Sequence, residues 1–138
     1  MENFIAGFDK NIATIDQPVI GRSVTPQPVT IGSIGYVRLH GRNKAQWFAD
    51  KSQTQSHPLG GNARYDYLYS DAEIQEWAAK SKTVQGQSEK TFVILNNHPW
   101  GQAVANGLQL KAALGEAVAE IPSSLQEKYP SLISLNSL

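Results

Sequence analysis

Apolar and polar residues alternate over residues 34–40, and this alternation is typical of a β-strand whose two faces differ. Val37 and Leu39 are predicted to lie on one face of the strand, and Arg38 and His40 on the other. An arginine in the middle of a strand lies at a hydrated surface or beside a partner, because burial of an unpaired charge is costly. The pattern therefore indicates either a solvated polar face or a polar site.

Two further runs predict strands before and after this one. Residues 12–16 are rich in β-branched side chains, and the Gln17-Pro18 step that follows favours a loop over a helix. Residues 91–96 begin with a continuous apolar run, which suits a parallel strand covered on both faces. Prolines and glycines over residues 17–33 predict an extended connection that packs along a surface.

Helical spacing and end signals predict two helices. Ser70 followed by Glu73 forms a capping box, and apolar residues then recur at helical spacing, so a helix is predicted over residues 71–82. A second helix is predicted over residues 101–118, where apolar residues keep helical spacing until Pro122 marks its end.

The order of these elements is that of an α/β protein with parallel strands. Polar residues end each predicted strand, namely Asp16, then His40-Gly41-Arg42, then Asn96-Asn97-His98. The carboxyl ends of parallel strands meet at one edge of a sheet, and open α/β sheets and (β/α)₈ barrels bind their ligands there. The sequence therefore predicts a polar site at this edge.

Composition narrows the class of protein without naming a reaction. The 138 residues suffice for one domain, and 12 basic residues balance 12 acidic ones. This balance argues weakly against a non-specific nucleic-acid binder, although nucleic acid is not excluded as a partner. Without cysteine the chain forms neither disulfides nor zinc-thiolate sites. No apolar run reaches the ~20 residues of a membrane span and no secretory signal is evident, so we expect a soluble cytoplasmic protein.

Four residues are candidates for chemistry: Asp16, Arg38, His40 and His98. Arg38 needs a partner if its face is buried, and Asp16 on the preceding strand is predicted to be that partner. A purely structural ion pair is the alternative explanation. Two histidines beside a carboxylate form the donor set of some metal sites. No spacing in the sequence requires a metal, so neither a metal ligand nor a cofactor is assigned.

A second set of residues is predicted to bind a ligand. The start of helix 101–118 would present free backbone N–H groups that suit an anion, and Arg42 would add positive charge. Asparagine amides and tyrosine rings at the same edge suit sugars or nucleotides. The set comprises Arg42, Asn43, Arg64, Tyr65, Tyr67, Asn96, Asn97 and Gly101. Helix capping and packing are the alternative explanations for these side chains.

Three segments carry a family resemblance: residues 36–42 (YVRLHGR), 64–70 (RYDYLYS) and 96–98 (NNH), the last followed by Gly101-Gln102-Ala103 and Asn106. In this order they resemble the YecE-like family, also called the domain-of-unknown-function 72 family, over about residues 12–115. The resemblance implies a (β/α)₈-barrel-like fold and no established reaction. A barrel of this kind needs about 250 residues. The chain is therefore expected to be a partial TIM-barrel-like fold, a single C-terminal segment (1–138) with about the last three strands, truncated on its N-terminal side.

Two classes of function remain open at this point. In the first, the chain belongs to an enzyme-like barrel that binds a phosphate- or nucleotide-containing ligand at the C-terminal ends of its strands, and a hydrolase is the reaction class we would expect. In the second, it is a non-catalytic binding or scaffold module, or an inactive fragment of a longer protein. In both classes, an open sheet edge is expected to promote self-association.

Overall fold

A three-stranded parallel sheet forms the centre of the computed structural model. Strands β1 (Ala13–Asp16), β2 (Ile34–Leu39) and β3 (Lys90–Leu95) lie side by side in that order, and both neighbouring pairs are parallel. The three predicted strands and their parallel arrangement are confirmed. The residues that the structure describes are 12–23, 25–50, 52, 55 and 57–137.

Helices connect and follow the strands of this sheet. The α-helices of the described residues are α1 (Lys44–Trp47), α2 (Asp71–Gln85), α3 (Gln102–Leu114) and α4 (Ser123–Lys128). The 3₁₀ helices are Gly60–Tyr65, Pro99–Gly101 and Pro130–Ser137. Among the described helices, none combines the length and the apolar character that crossing a membrane requires.

Both predicted long helices are present, but their ends differ from the prediction. Helix α2 begins with the predicted capping box, in which Ser70 Oγ accepts from the Glu73 N–H and Glu73 Oε2 accepts from the Ser70 N–H. It continues to Gln85, three residues beyond the predicted end at 82. Helix α3 ends at Leu114 instead of 118, because Gly115 adopts a φ of 83° and a glycine in this left-handed conformation ends a helix.

Helices α2 and α3 cover one face of the sheet. The buried core on this face includes Val37, Leu39, Ile74, Trp77, Val84 and Leu110. The predicted extended connection lies against the same face beside β1, where Thr14 Oγ1 donates to the Gln27 carbonyl at 2.9 Å. A smaller core of Ala105, Ile121, Tyr129 and Leu132 joins α3 to the C-terminal segment.

The opposite face of the sheet, here called the open face, is much more accessible. It carries Ile15, Ile34, Phe92 and Ile94, whose side chains point away from the core side chains of the same strands. Each of these four residues is 38–40% exposed, whereas Val37 and Leu39 are fully buried. The prediction that β3 is covered on both faces is wrong, because the helices of the described residues pack on the other side.

Candidate functional site

The segments that follow the three strands lie together at one edge of the sheet. The backbone N–H of His40 donates to the Asp16 carbonyl at 3.0 Å, and that of Asn96 donates to the Leu39 carbonyl at 2.7 Å. These bonds continue the hydrogen-bond ladder of the sheet by one residue beyond β2 and β3. The predicted meeting of the strand ends is therefore confirmed, and it fixes where their side chains emerge.

Polar and aromatic side chains form a cluster at this edge, on the side of the open face. Arg38 lies between Ile15 and Ile94 in the strand register, so its side chain belongs to the open face. Its Nε donates to Asn96 Oδ1 at 2.7 Å. We call the whole group the mouth cluster, and its members are Arg38, His40, Trp47, Tyr65, Asn96 and His98.

The ring of Tyr65 lies at the centre of the mouth cluster. Its centroid is 5.8 Å from that of His40 in a stacked arrangement and 5.5 Å from that of His98 in a tilted one. Trp47 packs edge-on against both His40 and Tyr65, at 6.1 and 6.3 Å. The rings therefore form a preformed wall with two imidazoles, beside the guanidinium of Arg38.

His40 is held in its neutral form. Burial lowers the pKa of His40, and the nearby positive charge of Arg38 lowers it further. Its Nδ1 is buried and has no hydrogen-bond partner among the residues that the structure describes. The Nδ1 of His98, in contrast, is 2.9 Å from the Asn96 carbonyl. His40 Nδ1 is thus a buried polar atom whose hydrogen-bonding capacity no described residue uses.

The predicted ion pair between Arg38 and Asp16 is wrong. Asp16 is aligned with Leu39 in the register, so its side chain lies on the covered face while that of Arg38 lies on the open face. Its carboxylate instead accepts from Arg42 Nε at 2.9 and 3.0 Å and from the Tyr69 hydroxyl at 2.6 Å. Asp16 is 1% exposed, and a buried carboxylate needs a partner of opposite charge. Arg42 is that partner.

Arg42 connects Asp16 to helix α2. Its Nη1 is 3.0 Å from Glu73 Oε1 and its Nη2 is 3.3 Å from Glu76 Oε2. We call Asp16, Arg42, Tyr69, Glu73 and Glu76 the frame network. Because carboxylates surround its guanidinium, Arg42 does not present a free charge to an anion. The predicted role of Arg42 in ligand binding is therefore not supported by its contacts.

Burial sets the direction of the pKa shift for two members of the frame network, Asp16 and Tyr69. It raises the pKa of Asp16, although the hydrogen bond from Tyr69 and the charge of Arg42 oppose that rise. Burial and the Asp16 carboxylate raise the pKa of Tyr69, which therefore stays a hydrogen-bond donor. Burial and the hydrogen bond to Glu73 raise the pKa of Tyr67 to about 12. These phenols stabilise the fold and are poorly suited to act as bases.

Asn97 and Tyr67 also belong to the structural core. Asn97 is fully buried, and its Nδ2 donates to the Tyr67 carbonyl at 2.9 Å and to Asn106 Oδ1 at 2.8 Å. Asn106, which is fully buried in α3, in turn accepts from the Tyr69 N–H at 3.0 Å and donates to the Tyr69 carbonyl at 3.1 Å. The side-chain amides of Asn97 and Asn106 thus bond the backbone of the segment before α2, as a neighbouring β-strand would do.

The remaining ligand-binding candidates also have local structural partners. Asn43 donates to the carbonyls of Ala63 and Asp66 at 3.1 and 3.0 Å. Arg64 donates to the Gly61 carbonyl at 3.1 Å. The N–H of Gly101 is 3.3 Å from the His98 carbonyl, so it is not the free amide that the predicted anion site required. In the described part of the chain, no group of three or more His, Cys, Asp or Glu side chains is arranged so that it could hold a metal ion.

Five of the predicted candidates therefore come together in the mouth cluster: Arg38, His40, Tyr65, Asn96 and His98. The seven others make contacts that support the fold, namely Asp16, Arg42, Asn43, Arg64, Tyr67, Asn97 and Gly101. Arg64 also lies over the Tyr65 ring, with its Cζ 5.9 Å from the ring centroid. Sequence reasoning missed Trp47 as a member of the site. The signal that could have found it is a large aromatic residue within a polar loop that follows a strand end.

These features define an α/β protein with a parallel sheet and a polar, aromatic cluster at the carboxyl ends of its strands. The chain belongs to the DUF72 family, described as a protein family of unknown function, whose profile matches residues 2–131. The family resemblance of the three sequence segments is thereby confirmed.

Known relatives are longer than this chain. It is 34% identical over 101 residues to the UPF0759 protein YunF of Bacillus subtilis, a match that covers 69% of this chain and 33% of the relative. A DUF72 family protein of Thermotoga maritima has a similar structure, with a TM-score of 0.70 and 30% identity over 83% of this chain and 40% of that one. A DUF72 family protein of Enterococcus faecalis shares the fold, with a TM-score of 0.69 and 24% identity over 86% and 42% of the two chains. The chain thus spans about a third to two fifths of the length of these proteins.

Proposed function

We propose that the chain is the C-terminal segment of a (β/α)₈-barrel-like domain whose mouth binds a small ligand with an anionic group. The parallel sheet supports the architectural part of this proposal, because its helices lie on one face and its other face is apolar and open. In a barrel, closure of the sheet covers that inner face. The greater length of the relatives supports the same interpretation.

The observation that carries the ligand part is the convergence of Arg38, His40 and Asn96 beside the Tyr65 ring. A guanidinium has five N–H donors, and one bond to Asn96 leaves others for an anion. The imidazole of His40, which is stacked on the Tyr65 ring and lies near the charge of Arg38, adds a second polar group. This combination favours a phosphate- or nucleotide-containing ligand, with Arg38 in the role that the sequence assigned to Arg42.

Binding is favoured over catalysis within this segment. The six residues of the mouth cluster include no carboxylate, and Asp16 and Glu73 are already paired in the frame network. If the complete domain is a hydrolase, His40 and His98 are the groups here that suit proton transfer. A non-catalytic binding module is therefore the second candidate function, and it would use the same residues. A cytoplasmic location is also part of this proposal.

Calorimetric titration of the purified chain with inorganic phosphate and ribose 5-phosphate tests the proposal. The wild-type chain should bind ribose 5-phosphate, and Arg38→Ala should weaken binding at least about tenfold, since a charge-assisted pair is lost. Arg38→Lys should restore part of the affinity. Arg22→Ala, which changes an exposed arginine of the connecting loop, is the matched control and should bind like the wild type. Absence of binding to the wild type at millimolar concentration would refute the proposal.

A further inference from the structure

Trp100 has a backbone conformation that is costly for its residue type. It lies in the 3₁₀ turn between β3 and α3 with φ 60° and ψ 10°. Among the described residues other than glycine, only Trp100 has a positive φ. Bulky residues rarely adopt this left-handed conformation, and such strain concentrates at functional sites. A glycine would adopt the same backbone without this cost.

The side chain of Trp100 does not recover this cost through deep burial, because the residue is 54% exposed. Its position is nevertheless fixed. The indole Nε1 donates to Asp66 Oδ2 at 3.3 Å, and Lys128 Nζ lies 5.2 Å from the ring centroid. The Trp100 carbonyl accepts from the Tyr129 hydroxyl at 2.9 Å. A large, flat and partly accessible ring is therefore held in a defined orientation.

One hydrogen bond and one short stretch of chain connect Trp100 to the mouth cluster. Its hydrogen-bond partner Asp66 directly follows Tyr65, whose ring touches both histidines of the cluster. Trp100 also follows His98 by two residues in the chain. Trp100 is thus connected to the two segments that carry Tyr65 and His98.

We propose that Trp100 is a stacking platform for a planar ring of the ligand, whose anionic group is bound at Arg38. Aromatic side chains stack on nucleobases with little dependence on sequence or substituents, and the indole offers the largest such surface. The ligand class is therefore a mononucleotide or a similar phosphorylated heterocycle. This inference rests on the proposed function of the mouth cluster and specifies the chemical class of its ligand.

The test is calorimetric titration of the full chain with AMP, ribose 5-phosphate and adenosine. The wild type should bind AMP more tightly than ribose 5-phosphate by roughly five- to a hundredfold, the range expected for one stacked base. Trp100→Ala should reduce AMP affinity to that of ribose 5-phosphate, while Trp100→Phe should keep most of the preference. Phe92→Ala, a change of a partly exposed aromatic residue near the start of β3, is the control and should leave both affinities unchanged.

The paired substitutions separate stacking from a structural role. Phenylalanine keeps an aromatic face and the strained backbone but loses the N–H that bonds Asp66. If Phe and Ala weaken AMP binding equally, the role of Trp100 is exerted through Asp66 and the platform is refuted. Equal affinity of the wild type for AMP and ribose 5-phosphate also refutes it. Adenosine binding that depends on Trp100, without any ribose 5-phosphate binding, would support the platform and overturn the anion site. Failure of all three probes to bind the wild type would overturn both proposals.

Discussion

Asp16 and Arg42 form an ion pair in which Nε and Oδ2 are 2.9 Å apart, and this pair joins the end of β1 to the segment that follows β2. The aspartate is almost fully buried, while the arginine side chain is 25% exposed and continues to Glu73 and Glu76 on α2. The pair therefore connects the sheet to the start of the helix that covers it.

Arg42→Ala is expected to lower the free energy of unfolding by about 2–3 kcal/mol, because it leaves the buried Asp16 carboxylate without its cation. Urea denaturation followed by circular dichroism measures the change. The partial exposure of Arg42 places the effect at or below the lower end of the range for fully buried pairs. Arg22→Ala provides the matched control, since Arg22 is exposed, and should change stability by less than about 0.5 kcal/mol. Equal effects of the two substitutions would show that the pair is not stabilising.

Asn106→Ala is expected to destabilise the fold by about 2–4 kcal/mol, because both backbone groups of Tyr69 and the Nδ2 of Asn97 lose a buried partner. The same denaturation experiment gives the value. Asn62→Ala removes an exposed asparagine and should have little effect. A loss for Asn106→Ala no larger than that for Asn62→Ala would mean that water replaces the amide.

Acidification from pH 7 to 5 is expected to lower the stability of the chain through His40. Folding lowers the pKa of His40, so the unfolded chain binds the proton first as the pH falls below about 6.5. The stability that the neutral imidazole contributes is therefore present above the unfolded-state pKa and is lost as the pH falls from that value towards the folded-state pKa. Unfolding curves across this range measure the slope, and His40→Gln should flatten it. A slope that His40→Gln leaves unchanged would assign the effect to other groups.

The purified chain is expected to self-associate through the open face and the free edges of its sheet. Exposed apolar residues and unpaired strand edges favour such contacts. Sedimentation velocity over a wide concentration range should show oligomers that Ile94→Lys reduces. Ile133→Lys changes an exposed isoleucine outside the sheet and should leave association unchanged. A monomer at every concentration would contradict the prediction.

The sequence predicted the elements well because their signals are local. The alternation in β2, the capping box at Ser70 and the apolar run of β3 each arise within a few neighbouring residues. The end of α3 was predicted too late, since apolar spacing continues past Gly115 while the backbone of this glycine ends the helix.

Contacts between elements were predicted less well because they depend on strand register. Asp16 and Arg38 both lie near strand ends, yet Asp16 aligns with Leu39, and a shift of one residue moves a side chain to the other face. The alternation of apolar and polar residues along one strand does not reveal how that strand is aligned with its neighbour. The sequence therefore identified Arg38 and His40 as neighbours on one face, but it assigned Asp16 to the wrong arginine.

The Asn106 side chain, which bonds both backbone groups of Tyr69, also constrains the length of the chain. Adding one residue to a helix turns every later side chain by about 100°. An insertion within the first turn of α3 would therefore carry Asn106 away from Tyr69, whereas an insertion in the connection between β1 and β2 would extend only a surface loop. Insertions and deletions among relatives should accordingly accumulate before β2 and be rare between β3 and Asn106.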